Sequence, residues 1–219
     1  MCGIVGIWRF AGLADDRDSA DAHAMLDAIM HRGPDGQGYW SNNRLTLGHC
    51  RLAILDPSER GLQPAITPDQ DAVLAYNGEV YNFRELRQEL EAEGHQFETE
   101  TDTETIAHLI ASNLKKGMGE IEAVKAGVAR LHGAFALALL FDGRSDLLIG
   151  ARKGSPLAIG VGDGEMFLGS DALAVAPFTN RVIYLEEGDV CVLSHEGYEI
   201  FDRKDKPVER AVSIVQGAG

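Results

Sequence analysis

The run Ile4-Val5-Gly6-Ile7-Trp8 constrains this chain most. It has no polar face, so it reads as a β-strand covered on both sides. Such a strand is central in its sheet. Met1-Cys2-Gly3 precedes it, which mounts Cys2 rigidly at the end of that strand. A small residue at position two permits removal of the initiator methionine. Cys2 would then carry a thiol and a free α-amine on one residue. The amine has an unperturbed pKa of roughly 7.7–8.0, so part of it is unprotonated near neutrality. It can serve as general base toward its own thiol, as an N-terminal threonine uses its amine. Nucleophile and base on one residue need no catalytic histidine and no metal. Taken alone, a cysteine at position two is more simply an accident. The rest of the chain decides.

At 219 residues the chain can bury a real core in one large domain or two small ones. Hydrophobic residues are 45% and charged residues 25%, the proportions of a soluble globular protein. A formal net charge of -14 argues against nucleic acid or an anionic membrane as the main partner. No apolar run nears the roughly 18 residues of a membrane span, and the first residues lack the form of a signal peptide. Three cysteines, Cys2, Cys50 and Cys191, suggest reduced thiols in a cytoplasmic setting rather than a disulfide frame. No CxxC or HExxH spacing makes a case for zinc, and no cofactor is called for.

Along the chain, Ala22–Met30 has helical spacing and is stopped by His31-Arg32-Gly33-Pro34-Asp35-Gly36, where Pro-Asp-Gly is turn chemistry. Gly38–Trp40 and Leu45–Leu55 predict a hairpin around Ser41–Arg44. Asp56–Asp71, with Pro57, Gly61, Pro64 and Pro68, reads as a long functional loop. Ala72–Tyr76 predicts a strand running into Asn77-Gly78, itself a common hairpin-turn pair. Asn82 is placed to cap a helix ending at Gly94. Thr101-Asp102-Thr103-Glu104 has the form of a capping box before Ile106, Leu109 and Ile110. A helix is expected over Gly119–Arg130. Strands are expected at Ala134–Phe141, Asp146–Ala151, Leu157–Val161, Met166–Gly169, Val182–Tyr184 and Val190–Ser194, with a helical turn at Asp171–Ala176. The end after Asp202 is expected to fray. Cys50, Cys191, His49, His108 and His132 are assigned to core or packing. The pattern gives an α+β domain of two sheets with helices outside.

Four segments need one explanation: Met1-Cys2-Gly3-Ile4-Val5-Gly6, His49-Cys50-Arg51-Leu52, Tyr76-Asn77-Gly78-Glu79 and Glu100-Thr101-Asp102-Thr103-Glu104. Together they resemble class II glutamine amidotransferase domains of the N-terminal nucleophile hydrolases, over nearly the whole chain. The resemblance implies a four-layer α/β/β/α fold with mainly antiparallel sheets, and hydrolysis of L-glutamine to glutamate and ammonia. It implies catalytic Cys2, with the Asn77 side chain and the Gly78 N–H as oxyanion hole. Arg51 would hold the substrate α-carboxylate and Asp102 its α-ammonium. Leu52, Ile54 and Glu79 would complete the pocket. Each has a plainer reading. Asn77-Gly78 is a turn pair, Asp102 favours a helix N-terminus by its charge, and Arg51 and Glu79 are solvated charges. Arg32, Pro34 and Asp35 are assigned to turn and pocket wall. The functional reading is preferred because the plainer ones must all coincide, in order, behind Cys2.

The resemblance divides along the chain. The first half, including His31-Arg32-Gly33-Pro34-Asp35 and Asn77-Gly78-Glu79-Val80-Tyr81-Asn82, looks like the glutaminase domain of asparagine synthetase. The second, including Thr101–Ile110 and Ala151–Leu157, looks like glutamine–fructose-6-phosphate aminotransferase. The amino-sugar acceptor ranks ahead of asparagine, because the second half abuts the place of an acceptor domain. Residues 1–205 form the glutaminase domain in this reading, and 206–219 a frayed tail or the start of a linker to an acceptor synthase domain or subunit. An excised domain, a docking subunit, a free glutaminase and a recombined design all remain open. So do a non-catalytic docking module of the same fold and an amidase acting on another amide.

Overall fold

The computed structural model describes residues 2–9, 17–32, 36–42, 44–51, 63–67, 72–141 and 147–216, with backbone alone at 17–19, 30 and 51. Two seven-stranded sheets lie at its centre. The first runs β14 (Val212–Ile214), β10 (Arg181–Tyr184), β8 (Ala158–Val161), β9 (Glu165–Gly169), β1 (Gly3–Arg9), β3 (Leu45–Arg51), β2 (Gly36–Ser41). The second runs β13 (Pro207–Val208), β12 (Gly197–Phe201), β11 (Val190–Ser194), β7 (Leu148–Lys153), β6 (Gly133–Leu140), β5 (Val73–Val80), β4 (Ala65–Ile66). β1 is buried along its whole length, as its sequence demands. It pairs antiparallel with β3 from Gly3↔Cys50 to Trp8↔Leu45, and with β9 from Val5↔Gly169 to Arg9↔Glu165.

Period-two alternation divides the apolar side chains into three cores. Ile4, Trp8, Leu45, Leu47, Val73 and Ala75 fill the space between the sheets. Val5 and Ile7 point the other way, against Met25, Leu26 and Ile29 of the segment headed by α1 (Arg17–Ala28). Leu74, Tyr76 and Val80 point out of the second sheet, against α2 (Phe83–Ala92), α3 (Asp102–Lys115) and α4 (Glu120–Arg130). The order helix, sheet, sheet, helix is the four-layer α+β architecture expected.

Several local expectations change. Asn77-Gly78 is not a turn: both lie inside β5, opposite Ala136 and Phe135. The proline-rich loop contains a short edge strand, β4. Asn82 precedes α2 without capping it; its amide bonds the Arg130 carbonyl and the His132 N–H instead, joining two elements. The capping box at α3 is half made. Thr101 accepts from the Glu104 N–H at 3.3 Å, while the Glu104 carboxylate turns to the N–H groups of Glu98 and Thr99. His132 is exposed rather than packed. His108 is buried against Phe97, with its Nδ1 at 2.7 Å from that of His95, and burial lowers its pKa. Cys50 and Cys191 are fully buried, and burial pushes the Cys191 thiol up to about 12. The connection between the strands expected at Ala134–Phe141 and Asp146–Ala151 lies outside the described residues.

Residues 207–214, within the segment expected to fray, form two short strands. β13 and β14 each pair with a sheet, and Arg210 grips Asp189 with Nε at 3.0 Å and Nη2 at 2.9 Å. Asp189 is 0% exposed, so this pair ties the last residues to the turn before β11. Arg210→Ala should cost about 1.5–3 kcal/mol, because Asp189 loses two charge-assisted hydrogen bonds and keeps the one from the Glu186 N–H. Urea denaturation of the two proteins measures this directly.

Candidate active site

Cys2 directly precedes β1 and is half-buried. By alternation its side chain shares the face of Ile4 and Trp8, the face toward the second sheet. Two contacts anchor the strand here, beyond the end of its pairing with β9. The Ile4 N–H donates to Ser170 Oγ at 2.7 Å, and the Ser170 N–H donates to the Ile4 carbonyl at 3.1 Å. Arg32 lies in the 3-10 turn Met30–Arg32 after α1. Its Nε donates to the Cys2 carbonyl at 3.3 Å, its Nη1 is 3.7 Å from Asp171, and its Nη2 is buried without a partner among the described residues. The sequence assigns Arg32 to turn and pocket wall, and the structure sets it in a turn against Cys2. The structure brings a largely buried cation to the residue that carries the thiol. Its position just after a helix, before a Gly-Pro break, was the available signal.

From the second sheet, β5 brings Asn77. Its odd-numbered neighbours Val73 and Ala75 face the first sheet, so Asn77 faces the space on which Cys2 opens. Asn77 is 1% exposed, and its Nδ2 has no hydrogen-bond partner among the described residues. A buried donor left unpaired costs about 1–3 kcal/mol, so it points to an acceptor that arrives from outside. Gly78 follows with φ +132°, and a Cβ there would lie 2.2 Å from the Ala134 carbonyl oxygen. Only glycine fits that backbone. The Tyr76 N–H leaves β5 toward Gln63 and the Val80 N–H toward Asp102. Antiparallel alternation therefore turns the Gly78 N–H, between them, to the same edge.

Asp102 is the first residue of α3 and is buried. Its Oδ2 accepts from the Tyr76 hydroxyl at 2.6 Å and from the Val80 N–H at 3.3 Å. Burial pushes its carboxyl above the ordinary range, and those two bonds oppose the shift. Burial, then the Asp102 charge, pushes the Tyr76 hydroxyl up as well, so it stays a donor. His49 reaches across the sheets, with Nε2 at 3.1 Å from the Tyr76 carbonyl. That oxygen only accepts, so Nε2 carries the hydrogen. Glu79 is exposed on β5. The backbone of Arg51 pairs with Gly36. The Arg51 side chain, Leu52, Ile54, Pro34 and Asp35 lie outside the described residues. Among the described residues, no group of three or more His, Cys, Asp and Glu could hold a metal ion. No helix there is long and apolar enough to cross a membrane.

Residues 1–200 match the sequence profile of the glutamine amidotransferase domain family. The chain belongs to this family. The amidotransferase domain is 52% identical to glutamine–fructose-6-phosphate aminotransferase (isomerizing) of Zymomonas mobilis, covering 100% of this chain and 40% of the relative. It is 52% identical to that of Caulobacter vibrioides over 98% of this chain and 39% of the relative. For Brucella suis the identity is 45%, over 99% of this chain and 39% of the relative. The domain thus spans about two fifths of these relatives. They align with both of its halves, and the asparagine synthetase likeness of the first half is not shown by them. Among solved structures it is similar in fold to a glutamine phosphoribosylpyrophosphate amidotransferase of B. subtilis, with TM-score 0.77 and 24% identity over 92% of this chain and 49% of that one. A glutamine aminotransferase class-II domain protein of Silicibacter pomeroyi gives TM-score 0.51 and 18% identity, over 91% of this chain and 90% of that one.

Proposed function

We propose that this domain hydrolyses L-glutamine to glutamate and ammonia through Cys2. The unpartnered, buried Nδ2 of Asn77, facing the space on which Cys2 opens, carries this reading. With Met1 removed, the α-amine of Cys2 takes the thiol proton. The thiolate attacks the side-chain carboxamide carbon, and the oxygen collects negative charge between Asn77 Nδ2 and the Gly78 N–H. The protonated amine then gives its proton to the departing nitrogen, the C–N bond breaks, and ammonia leaves a γ-glutamyl thioester. Water, deprotonated by the same amine, breaks the C–S bond and releases glutamate. Arg51 holds the α-carboxylate bidentately. Asp102 holds the α-ammonium, and no cation pairs with its carboxylate among the described residues. Leu52, Ile54 and Glu79 line the pocket.

The relatives' name, glutamine–fructose-6-phosphate aminotransferase, supports the further reading that the released ammonia passes to an acceptor synthase domain or subunit in amino-sugar synthesis. A reduced, cytoplasmic setting suits an active thiol. Incubation of the purified chain with glutamine should yield glutamate and ammonia in equal amounts, measured enzymatically. Glutamine should be strongly preferred over a simple amide that lacks both α-groups. Equal rates on the two would overturn the assignments of Arg51 and Asp102.

A further inference from the structure

Tyr76 takes no part in the chemistry above, yet it is held at three points beside it. Its hydroxyl donates to Asp102 Oδ2 at 2.6 Å. Its N–H donates to Gln63 Oε1 at 2.6 Å, and its carbonyl accepts from His49 Nε2 at 3.1 Å. Gln63 also donates from Nε2 to Thr103 Oγ1 at 3.2 Å, and Thr103 follows Asp102 in α3. These contacts close a ring through Gln63, Tyr76, Asp102 and Thr103. Every member is at most 9% exposed, so water does not compete for the bonds.

The ring forms where the sheet stops. β4 pairs with β5 only at Ala65↔Leu74 and Ile66↔Val73. Continued by two residues, that register would set the Gln63 backbone opposite Tyr76. Instead the Gln63 side chain takes the Tyr76 N–H. The backbone of Gln63 is packed on β2, where a Cβ on Gly38 would lie 2.2 Å from the Gln63 carbonyl oxygen. Gln63 is therefore fixed from behind while it holds Tyr76 in front. The Tyr76 peptide runs directly into Asn77.

We propose that Tyr76 and Gln63 are positioning residues, forming a brace that sets the separation between the Asp102 carboxylate and the Asn77 amide. The brace rests on the glutamine reading, in which those two groups meet the two ends of one substrate. It works as a ruler for substrate length. Its two arms differ in what they carry: the Tyr76 hydroxyl meets the Asp102 carboxylate itself, whereas Gln63 holds the Tyr76 peptide and reaches α3 only at Thr103, one residue beyond that carboxylate. The Tyr76 hydroxyl acts only through Asp102, hence only on a substrate with an α-ammonium. Gln63 acts through the peptide that carries Asn77, hence on any amide that reaches the oxyanion hole.

The test is steady-state hydrolysis of glutamine and of glutaramate, the same amide without its amino group, by the full chain. Tyr76→Phe should raise KM for glutamine about ten- to a hundredfold, the cost of one hydrogen bond to a buried charge. It should leave kcat/KM on glutaramate essentially unchanged. Gln63→Leu should lower kcat on both amides by the same factor. A Tyr76→Phe loss equal on the two amides, or a Gln63→Leu loss confined to glutamine, would overturn the brace while leaving glutamine hydrolysis intact. A wild-type chain inactive on glutamine would overturn the glutamine reading, and the brace with it.

Discussion

A chain that cannot lose Met1 should hydrolyse no glutamine, and neither should Cys2→Ala. The two losses have different causes. Cys2→Ala removes the nucleophile. A retained methionine leaves the thiol but converts the α-amine to an amide, which has no useful basicity. It also places a residue where the carboxamide must approach. Neither change disturbs the core, since β1 is anchored by β3 from Gly3, by Ser170 at Ile4 and by β9 from Val5. Mass spectrometry of the N-terminus, paired with glutamate release, separates processed from unprocessed protein. In the processed protein the rate should rise with pH as the amine loses its proton. Homogeneous Met1-retaining protein working at the processed rate would exclude the amine as base. His49 could replace it only through Nδ1, because its Nε2 is committed to the Tyr76 carbonyl.

Asn77→Ala should lower kcat by about a hundred- to a thousandfold, the scale measured for loss of one oxyanion donor in a protease. KM should move little, because the donor meets charge that exists only in the transition state. The fold should persist. Nδ2 has no partner among the described residues, so its removal deletes no hydrogen bond there. Melting temperature and far-UV circular dichroism check that point alongside the kinetics. A variant as active as wild type would remove Asn77 from the oxyanion hole.

Much of the layering was legible because alternation is local. The run Ile4–Trp8 announced a central strand, and the parity of β5 alone sets Asn77 on the inter-sheet side. The turn reading of Asn77-Gly78 fails for a reason outside the dipeptide. β6 approaches so closely that Gly78 is needed within a strand, at φ +132°. Tyr76, Gln63 and His49 could not be linked from sequence. Their bonds span 13 to 27 residues and run from side chain to backbone, which leaves no periodic trace. The last residues read as frayed because their charges look solvated. Asp189, 21 residues before Arg210, is the partner that changes their meaning. For Arg32 the turn and pocket wall were legible, but its bond to the Cys2 carbonyl, 30 residues away, was not. For Arg51, Leu52 and Ile54, the sequence remains the guide.

β4 is two residues long, and that brevity has a consequence for descent. A sheet gains stability by completing its ladder, so selection for stability alone would lengthen β4 along β5. Pairing carried past Tyr76 would cover the edge to which the Gly78 N–H turns. Activity would vanish with every reactive side chain still in place. A lineage could thus fall silent while its signature residues stayed intact, and an inventory of those residues would miss the loss. The length of one edge strand, rather than the presence of Cys2, would then tell a working descendant from a retired one.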